Sequence, residues 1–559
     1  MATDTQVLVV GAGPVGLFMA AELKRHGVSC RIVDKNDGPT RDTRAAAIQA
    51  RTLEILESLG IAHEFVKAGN ICHAKATYTS DHKVIKYLTF DELDSAFPFI
   101  LQLPQSQTER LLAAYLARLG TEVERGVELV AFEQDDDGVR ATLRSRDGRQ
   151  ETVSVSHLVG CDGAHSTVRH GLGVAFTGDA YATDLVSADI KVDWKLPRDE
   201  QMSFFAAEGM LTFFPLAGGR AAIVADLGPA RGDHPPPALA LQDLQAMFNA
   251  RTPGGVLSDP IWSVCYRVHC RQAERYQVGR VFLVGDAAHV CSNIGGQGMN
   301  TGMQDAYNLG WKLGLVLNGR SPAGLLDSYQ TERHQAGRDM LCLSDQLHRI
   351  ALREDLHLSL PESVRQRLAA VLATEEVVQQ RMRRAVSELN IGYRHSPVVA
   401  EHHQLLPAPD GTHAGVLGWH DFGAGPRAGD RAVDAQLMLH PGRDSVRLFQ
   451  RLRGTTHHVL LFAGAHATAQ THRQLQDLAD ATMRAHAGGI ETHLIVPHKL
   501  PEDLAGKGEM LLDPKGELHH RYGARSACLY VVRPDGYIGF RSQPPDAEAL
   551  SSYLTRIFL

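Results

Sequence analysis

Short apolar runs punctuated by glycine organise the first part of the chain. Val7, Leu8, Val9 and Val10 form a continuous apolar run ending at Gly11, the pattern of a strand buried on both faces of a parallel sheet. Residues 17–26 repeat apolar positions at helical spacing and stop at Gly27, a helix C-cap, before a second strand at 30–34. Helices over 52–59 and 108–119 each end at a glycine, Gly60 and Gly120. From about residue 175 to 268 the texture changes. Met202-Ser-Phe-Phe, Leu211-Thr-Phe-Phe and Arg220-Ala-Ala-Ile-Val-Ala read as strands between Gly and Pro turns, which predicts a sheet-rich lobe inserted into the α/β fold. A buried strand returns at 280–285, and a long helix is expected over 303–317.

Residues 330–400 have helical composition, and 401–429 hold the Gly and Pro of an irregular linker. Beyond 430 a separate α/β unit is expected, with strands at 458–463 and 491–496 and a helix at 475–486 between them. A hairpin turns at Asp535-Gly536 and a helix closes the chain over 546–558. The expected fold class is α/β. A nucleotide-binding domain is split over 1–174 and 269–400, a sheet domain occupies 175–268, and a third domain occupies 430–559.

The length of 559 residues fits roughly two to four domains. Apolar residues at 44% and charged residues at 22% are globular values and exclude a disordered chain. A net charge of −7 argues against a nucleic-acid partner. Eight cysteines with no C-x-x-C exclude a disulfide scaffold and indicate free thiols in the cytoplasm. No apolar run reaches the roughly 18 residues of a membrane span, and no basic leader opens the chain, so neither membrane nor export is expected. The adjacent pairs His402-His403, His457-His458 and His519-His520 read as surface or packing positions. No spacing among the 28 histidines forms a metal site.

Three motifs carry chemistry. The first is Gly11-Ala-Gly13-Pro14-Val15-Gly16 between strand and helix, with Asp34 18 residues beyond Gly16. The glycines permit a tight turn and close approach of a pyrophosphate to the helix N-terminus, and Asp34 can accept a bond from a ribose hydroxyl. The second is Asp162-Gly163 at a strand end, with Ser166 to Arg169 opening a helix. The third is Gly285-Asp286-Ala-Ala-His289, followed by Gly295-Gly-Gln-Gly298-Met299-Asn300. Asp286 can bond a polyol hydroxyl, and the N–H groups of the glycine loop can stabilise an anion on a planar ring.

In this order and spacing the motifs resemble those of the single-component FAD-dependent aromatic hydroxylases, the class A flavoprotein monooxygenases. Arg271-Gln-Ala-Glu-Arg-Tyr276, Arg44 in Thr43-Arg-Ala and Gln105 in Leu103-Pro-Gln-Ser-Gln resemble the phenol and polyketide branch. The likeness covers about residues 5–400. It implies a Rossmann-like FAD-binding domain with an inserted substrate domain. Gly11, Gly13, Pro14, Val15, Gly16, Asp34 and Lys35 would hold the ADP half of FAD and Arg44 its pyrophosphate. Asp162 would lie near the pyrophosphate and the NAD(P)H approach, and Asp286 would meet the ribityl chain. Gln105, Gly298, Met299 and Asn300 would meet the flavin. Residues 430–559 resemble the thioredoxin-like C-terminal domain of longer members, without a redox dithiol, since Cys528 is the unit's only cysteine.

The implied reaction hydroxylates a phenolic or polycyclic aromatic substrate through a flavin hydroperoxide, using FAD, NADPH or NADH, and O2. Phe204, Phe205, Phe213, Phe214 and Pro215 are candidates for the substrate pocket, although on alternating strands about half must face the general core. His289 and His269 are candidate bases that also read as core or supporting positions. Asn293 stands where the family usually carries a proline whose carbonyl lies beside the flavin. Two other readings stay open. One is an FAD oxygenase that eliminates a carboxyl, nitro or halide group, and the other is a flavin-binding protein that shelters a ligand without turnover. The expected partner is a small aromatic molecule, with room for a homodimer.

Overall fold

A computed structural model of the chain describes residues 5–39, 45–79, 83–232, 234–292, 295–351, 376–403, 422–439, 445–465, 467–497 and 510–559. Two compact units emerge: Met1–Glu54, Ile61–Gly310 and Arg333–Leu389 form the first, and Ile55–Gly60, Trp311–Glu332 and Asn390–Leu559 the second.

The first unit is built on a six-stranded sheet ordered Gln277–Val278, Val281–Leu283, His157–Gly160, Val7–Val10, Cys30–Asp34, Val123–Arg125. Val7–Val10 is fully buried and pairs in parallel with both His157–Gly160 and Cys30–Asp34. All three motifs therefore leave one sheet, the first after Val10, the second after Gly160 and the third after Leu283. Ligands of open parallel sheets bind beyond the carboxyl ends of such strands.

A second sheet has eight strands, ordered His289–Val290, Val256–Ala273, Phe176–Asp193, Arg220–Pro229, Gly209–Pro215, Glu200–Ala206, Ala74–Thr79, Val84–Thr89. It reaches beyond the expected span of 175–268. Ala74–Thr79 joins Glu200–Ala206 in parallel, and His289–Val290 adds to the other edge. Neither segment has an apolar alternation long enough to announce itself.

The two faces of this sheet differ. Phe204 and Phe213 lie in a buried cluster with Leu244 and Phe248 of the helix Leu241–Arg251. Phe214 belongs to a separate cluster with Leu185, Leu216, Ala222, Val224 and Val268, against which Ala46, Tyr181 and Tyr266 pack. Successive strand residues point to opposite faces, so Phe213 and Phe214 cannot share a pocket.

The second unit is a mixed eight-stranded sheet, ordered Ala400–His403, Ile538–Gln543, Cys528–Val532, His457–Phe462, Ile490–Val496, Met510–Leu512, Gln436–Met438, Ser445–Arg447. It begins at Asn390, earlier than the expected 430, and takes in Trp311–Glu332. Part of the expected linker, 404–421, lies outside the described residues.

An ionic cluster sits in the core of this unit. Arg533 donates to both Glu332 oxygens at 2.6 and 2.9 Å and also pairs with Asp535. Lys312 Nζ lies 2.9 Å from Glu332, and Ser396 Oγ donates to it at 2.6 Å. Burial pushes the Glu332 carboxyl up, but Arg533 and then Lys312 outweigh burial and hold it well below the usual range. Among the described residues no helix is long and apolar enough to cross a membrane.

Removing one partner of such a cluster leaves buried charge uncompensated. Arg533→Met is expected to lower the stability of this unit by about 3–5 kcal/mol, read by urea denaturation. A loss below about 1 kcal/mol would mean the cluster is solvated.

Candidate functional site

The Gly11–Gly16 turn is shaped by what surrounds each glycine. Gly11 has φ +99°, and a Cβ there would stand 2.4 Å from the Cys161 carbonyl oxygen. A Cβ at Gly16 would strike the Gly11 carbonyl oxygen at 1.9 Å. Around Gly13 a Cβ would meet nothing within 4 Å. Gly13 is the N-cap of the helix Pro14–Arg25, so that helix opens onto free space with no side-chain cap among the described residues. Two glycines make the turn, and the third faces room for a pyrophosphate.

Asp34 stabilises the same turn from the next strand. Its Oδ2 accepts from the Ala12 N–H at 2.6 Å and its Oδ1 from the Asn36 N–H at 2.8 Å. Each oxygen has a second lone pair for a ribose hydroxyl. Lys35 is exposed just beyond.

The second motif is joined to the first and the third. Cys161 and Asp162 back onto Gly11. Asp162 Oδ2 accepts from the Val168 N–H at 3.1 Å, while its buried Oδ1 has no partner among the described residues. Burial pushes that carboxyl up. Ser166 caps the following helix by accepting from the Arg169 N–H. The buried Arg169 guanidinium donates to the Ala287 carbonyl at 3.0 Å and the Ala164 carbonyl at 2.8 Å, and lies 3.9 Å over the Phe176 ring.

The third motif packs on the first through Val15. A Cβ at Gly302 would meet the Val15 side chain at 2.7 Å, and one at Gly285 would meet it at 3.1 Å. Gly285 also needs its φ of +63°. Asp286 is exposed on the short 3-10 turn Gly285–Ala287. Gly298 and Met299, both half-buried, begin the helix Gly298–Leu317. Buried Asn300 Nδ2 donates to the Ala47 and Gly296 carbonyls at 2.9 and 2.8 Å, and its Oδ1 accepts from the Gln49 N–H at 2.9 Å. Its side chain thus ties the glycine loop to the strand Ala47–Ile48 rather than reaching outward. Gln105 starts the helix Gln105–Arg118, half-buried, with its amide donating to Glu109 at 2.9 Å. Arg44 and Asn293 lie outside the described residues.

The two candidate bases are placed differently from one another. His289 is fully buried, its Nε2 2.7 Å from Asp305 Oδ2. Arg333 Nε donates to the other Asp305 oxygen at 2.7 Å, and the Gly285 N–H donates to Oδ2 at 3.1 Å. This knot supports the Gly285–Asp286 turn from below. His269 is exposed on Val256–Ala273 and points away from the face that buries its neighbour Val268. Partial burial and then the Arg271 charge push its ring below the usual range.

Of the five expected pocket residues, Phe204 and Phe213 are core, which corrects the expectation, because the face they share is covered by Leu241–Arg251. Phe214 lines the opposite face, and Pro215 ends its strand. Phe205, next to Phe204, points away from the helix-covered face and is half-buried.

Side chains that sequence reasoning missed complete that opposite face. Tyr181 donates its hydroxyl to Asp345 at 2.8 Å, and its ring centroid lies 3.6 Å from that of His348. His348 Nδ1 is 2.8 Å from Ser292 Oγ, and Ser344 Oγ donates to the Ser292 carbonyl at 3.2 Å. Burial pushes the His348 ring down to about 4. Glu388 is also buried, at a left-handed φ of +60°, accepting from Thr301 Oγ1 at 3.1 Å and from Gln304. Burial pushes its carboxyl up to about 8. Residues 345, 348 and 388 fall in a stretch whose only sequence signal was helical composition.

A family model described as FAD binding domain matches residues 4–344. The chain is 34% identical over its whole length to a 6-methylpretetramide 4-monooxygenase of Streptomyces rimosus, covering 94% of that protein. It is 31% identical over 96% of its length to the pentachlorophenol 4-monooxygenase of Sphingobium chlorophenolicum, again covering 94% of the relative. A solved aklavinone-11 hydroxylase in complex with FAD and aklavinone superposes with a TM-score of 0.76 at 25% identity, covering 100% of this chain and 99% of the other. The fold and site thus define a flavin-dependent enzyme. The chain belongs to the FAD-binding-domain family, among the NAD(P)H-dependent flavin aromatic monooxygenases. FAD fits the open space at Gly13, the buried Asp162 oxygen and the exposed Asp286.

The glycine geometry separates binding from folding. Gly13→Ala is expected to leave the melting temperature of the FAD-free protein unchanged and to weaken FAD binding, measured by flavin fluorescence. Gly11→Ala is expected to destabilise the FAD-free protein itself, because its Cβ meets backbone. Equal effects from both would contradict this division.

Glu388 sets a pH dependence. Its folded carboxyl ionises near 8, above the unfolded value, so the folded state holds a proton that the unfolded state has released. Stability is therefore expected to fall as pH rises from the ordinary carboxylate range to about 8, and to level off above it. In Glu388→Gln that slope should flatten in chemical denaturation across pH.

Proposed function

We propose that the substrate is a phenol or a fused polycyclic phenol, seated against the Phe214, Leu216 and Val268 face of the eight-stranded sheet. The observation that carries this is the pairing of an apolar wall with one polar edge, Tyr181, His348 and Ser292. An aromatic ring system with a hydroxyl at one end needs both. The relatives' names, a pretetramide and a pentachlorophenol monooxygenase, support the same class.

FAD, once bound, supplies the redox chemistry that takes electrons from NAD(P)H to O2. The apolar wall excludes water from the reacting ring. Ser292 is held by His348 and Ser344 at the polar edge of this face. His289 acts through Asp305 on the Gly285–Asp286 turn, and His269 takes a supporting role at the rim of the FAD site beside Arg271 and His165. The 430–559 region is read as thioredoxin-like and as an assembly or stability element. Its mixed sheet buries Cys528, whose thiol burial raises far out of the reactive range. All eight cysteines are free, in keeping with a cytoplasmic enzyme, and a homodimer is the assembly this reading expects.

A second reading, hydroxylation with loss of a halide or nitro group, is favoured by the likeness to the pentachlorophenol enzyme. A phenol screen separates the readings. Plain hydroxylation is expected to show phenol-dependent NAD(P)H oxidation, one O2 per NAD(P)H and a product heavier by one oxygen. Halide or nitrite release would instead support elimination. NAD(P)H oxidation indifferent to every phenol and polycyclic phenol, with no oxygenated product, would overturn both.

A further inference from the structure

The C-terminal unit carries donor atoms that the flavin chemistry does not use. His458 on the strand His457–Phe462 and His493 on Ile490–Val496 lie on one face of the sheet, because His458 is opposite Glu491 and Leu460 opposite His493 in the parallel register. Nδ1 of His458 and Nε2 of His493 are 3.1 Å apart, and both rings are buried. Glu491 Oε2 is 4.0 Å from His458 Nδ1, and one donor atom from each of the three residues falls within 4.8 Å of the others. Thr456 Oγ1 donates to Glu491 Oε1 at 3.0 Å, orienting the carboxylate.

Two imidazole nitrogens 3.1 Å apart can share one ion at the roughly 2.0–2.1 Å bond length of zinc. In the absence of an ion the same two nitrogens can share a hydrogen bond. A short rotation of the exposed Glu491 side chain brings its oxygen to the same point. The Arg451 charge acts on His458 and opposes a cation, and the Glu491 carboxylate offsets it. Two nitrogens and one carboxylate favour a borderline transition ion over magnesium or calcium, which take oxygen ligands.

We propose that His458, Glu491 and His493 bind one divalent transition-metal ion of the zinc class, bridging two adjacent parallel strands, with water completing the coordination. No single stretch of sequence shows this set, since the donors come from strands 35 residues apart.

The test uses the metal-stripped, FAD-loaded full chain titrated with Zn2+ in a calorimeter. The wild type is expected to bind one equivalent at this site, and both Glu491→Gln and His493→Ala to weaken that binding by more than about tenfold. His493 is buried and its loss could disturb folding, so the exposed Glu491 keeps the result readable. Anomalous scattering at the zinc edge should place the ion between the three side chains. Unchanged affinity in Glu491→Gln, or a zinc peak elsewhere only, would overturn the proposal.

Discussion

The close approach of three chain segments at Val15 holds the candidate FAD site together. Val15 packs against Gly285 and Gly302, where a Cβ would intrude to 3.1 and 2.7 Å. Gly11 packs against the Cys161 carbonyl. Glycine is needed at these places because backbone must touch backbone or a branched side chain. The free helix end at Gly13, the Asp162 carboxyl and the Asp286 turn are brought together around that contact.

Beneath this contact lies a buried electrostatic knot. Asp305 is reached by His289, Arg333 and the Gly285 N–H. Burial pushes its carboxyl up, and Arg333 and His289 outweigh burial and hold it down. A buried carboxylate is costly unless it is paired and hydrogen-bonded, and here both oxygens are. The result is a rigid platform for Asp286, which explains why a histidine so near the glycine loop is built into the support. The C-terminal unit uses the same device around Glu332, with Arg533 and Lys312 as counter-charges.

The face proposed for the substrate follows from a different constraint. A strand has two sides, and the helix Leu241–Arg251 covers one of them. Phe213 goes to that covered side and Phe214 to the other, which meets Tyr181 and Ala46. The polar edge at His348 and Ser292 comes from a helix and a loop 56 residues apart.

The α/β class, the strand–glycine–helix opening, the three glycine motifs at strand ends and the resemblance to aromatic hydroxylases were all legible in the residues, because each depends on local spacing. Gly11, Gly13, Gly16 and Asp34 stand within one βαβ unit, and a short unit is readable in order. What tertiary structure alone decided is what depends on register and on contacts distant in sequence. It sent Phe204 and Phe213 to the core, drew Ala74–Thr79 into the second sheet and set Asn300 to bridge Ala47 and Gly296. It also committed His289 to Asp305 and gathered His458, Glu491 and His493. A one-residue shift along a strand reverses every side chain, so composition names the candidates and only the folded register selects among them.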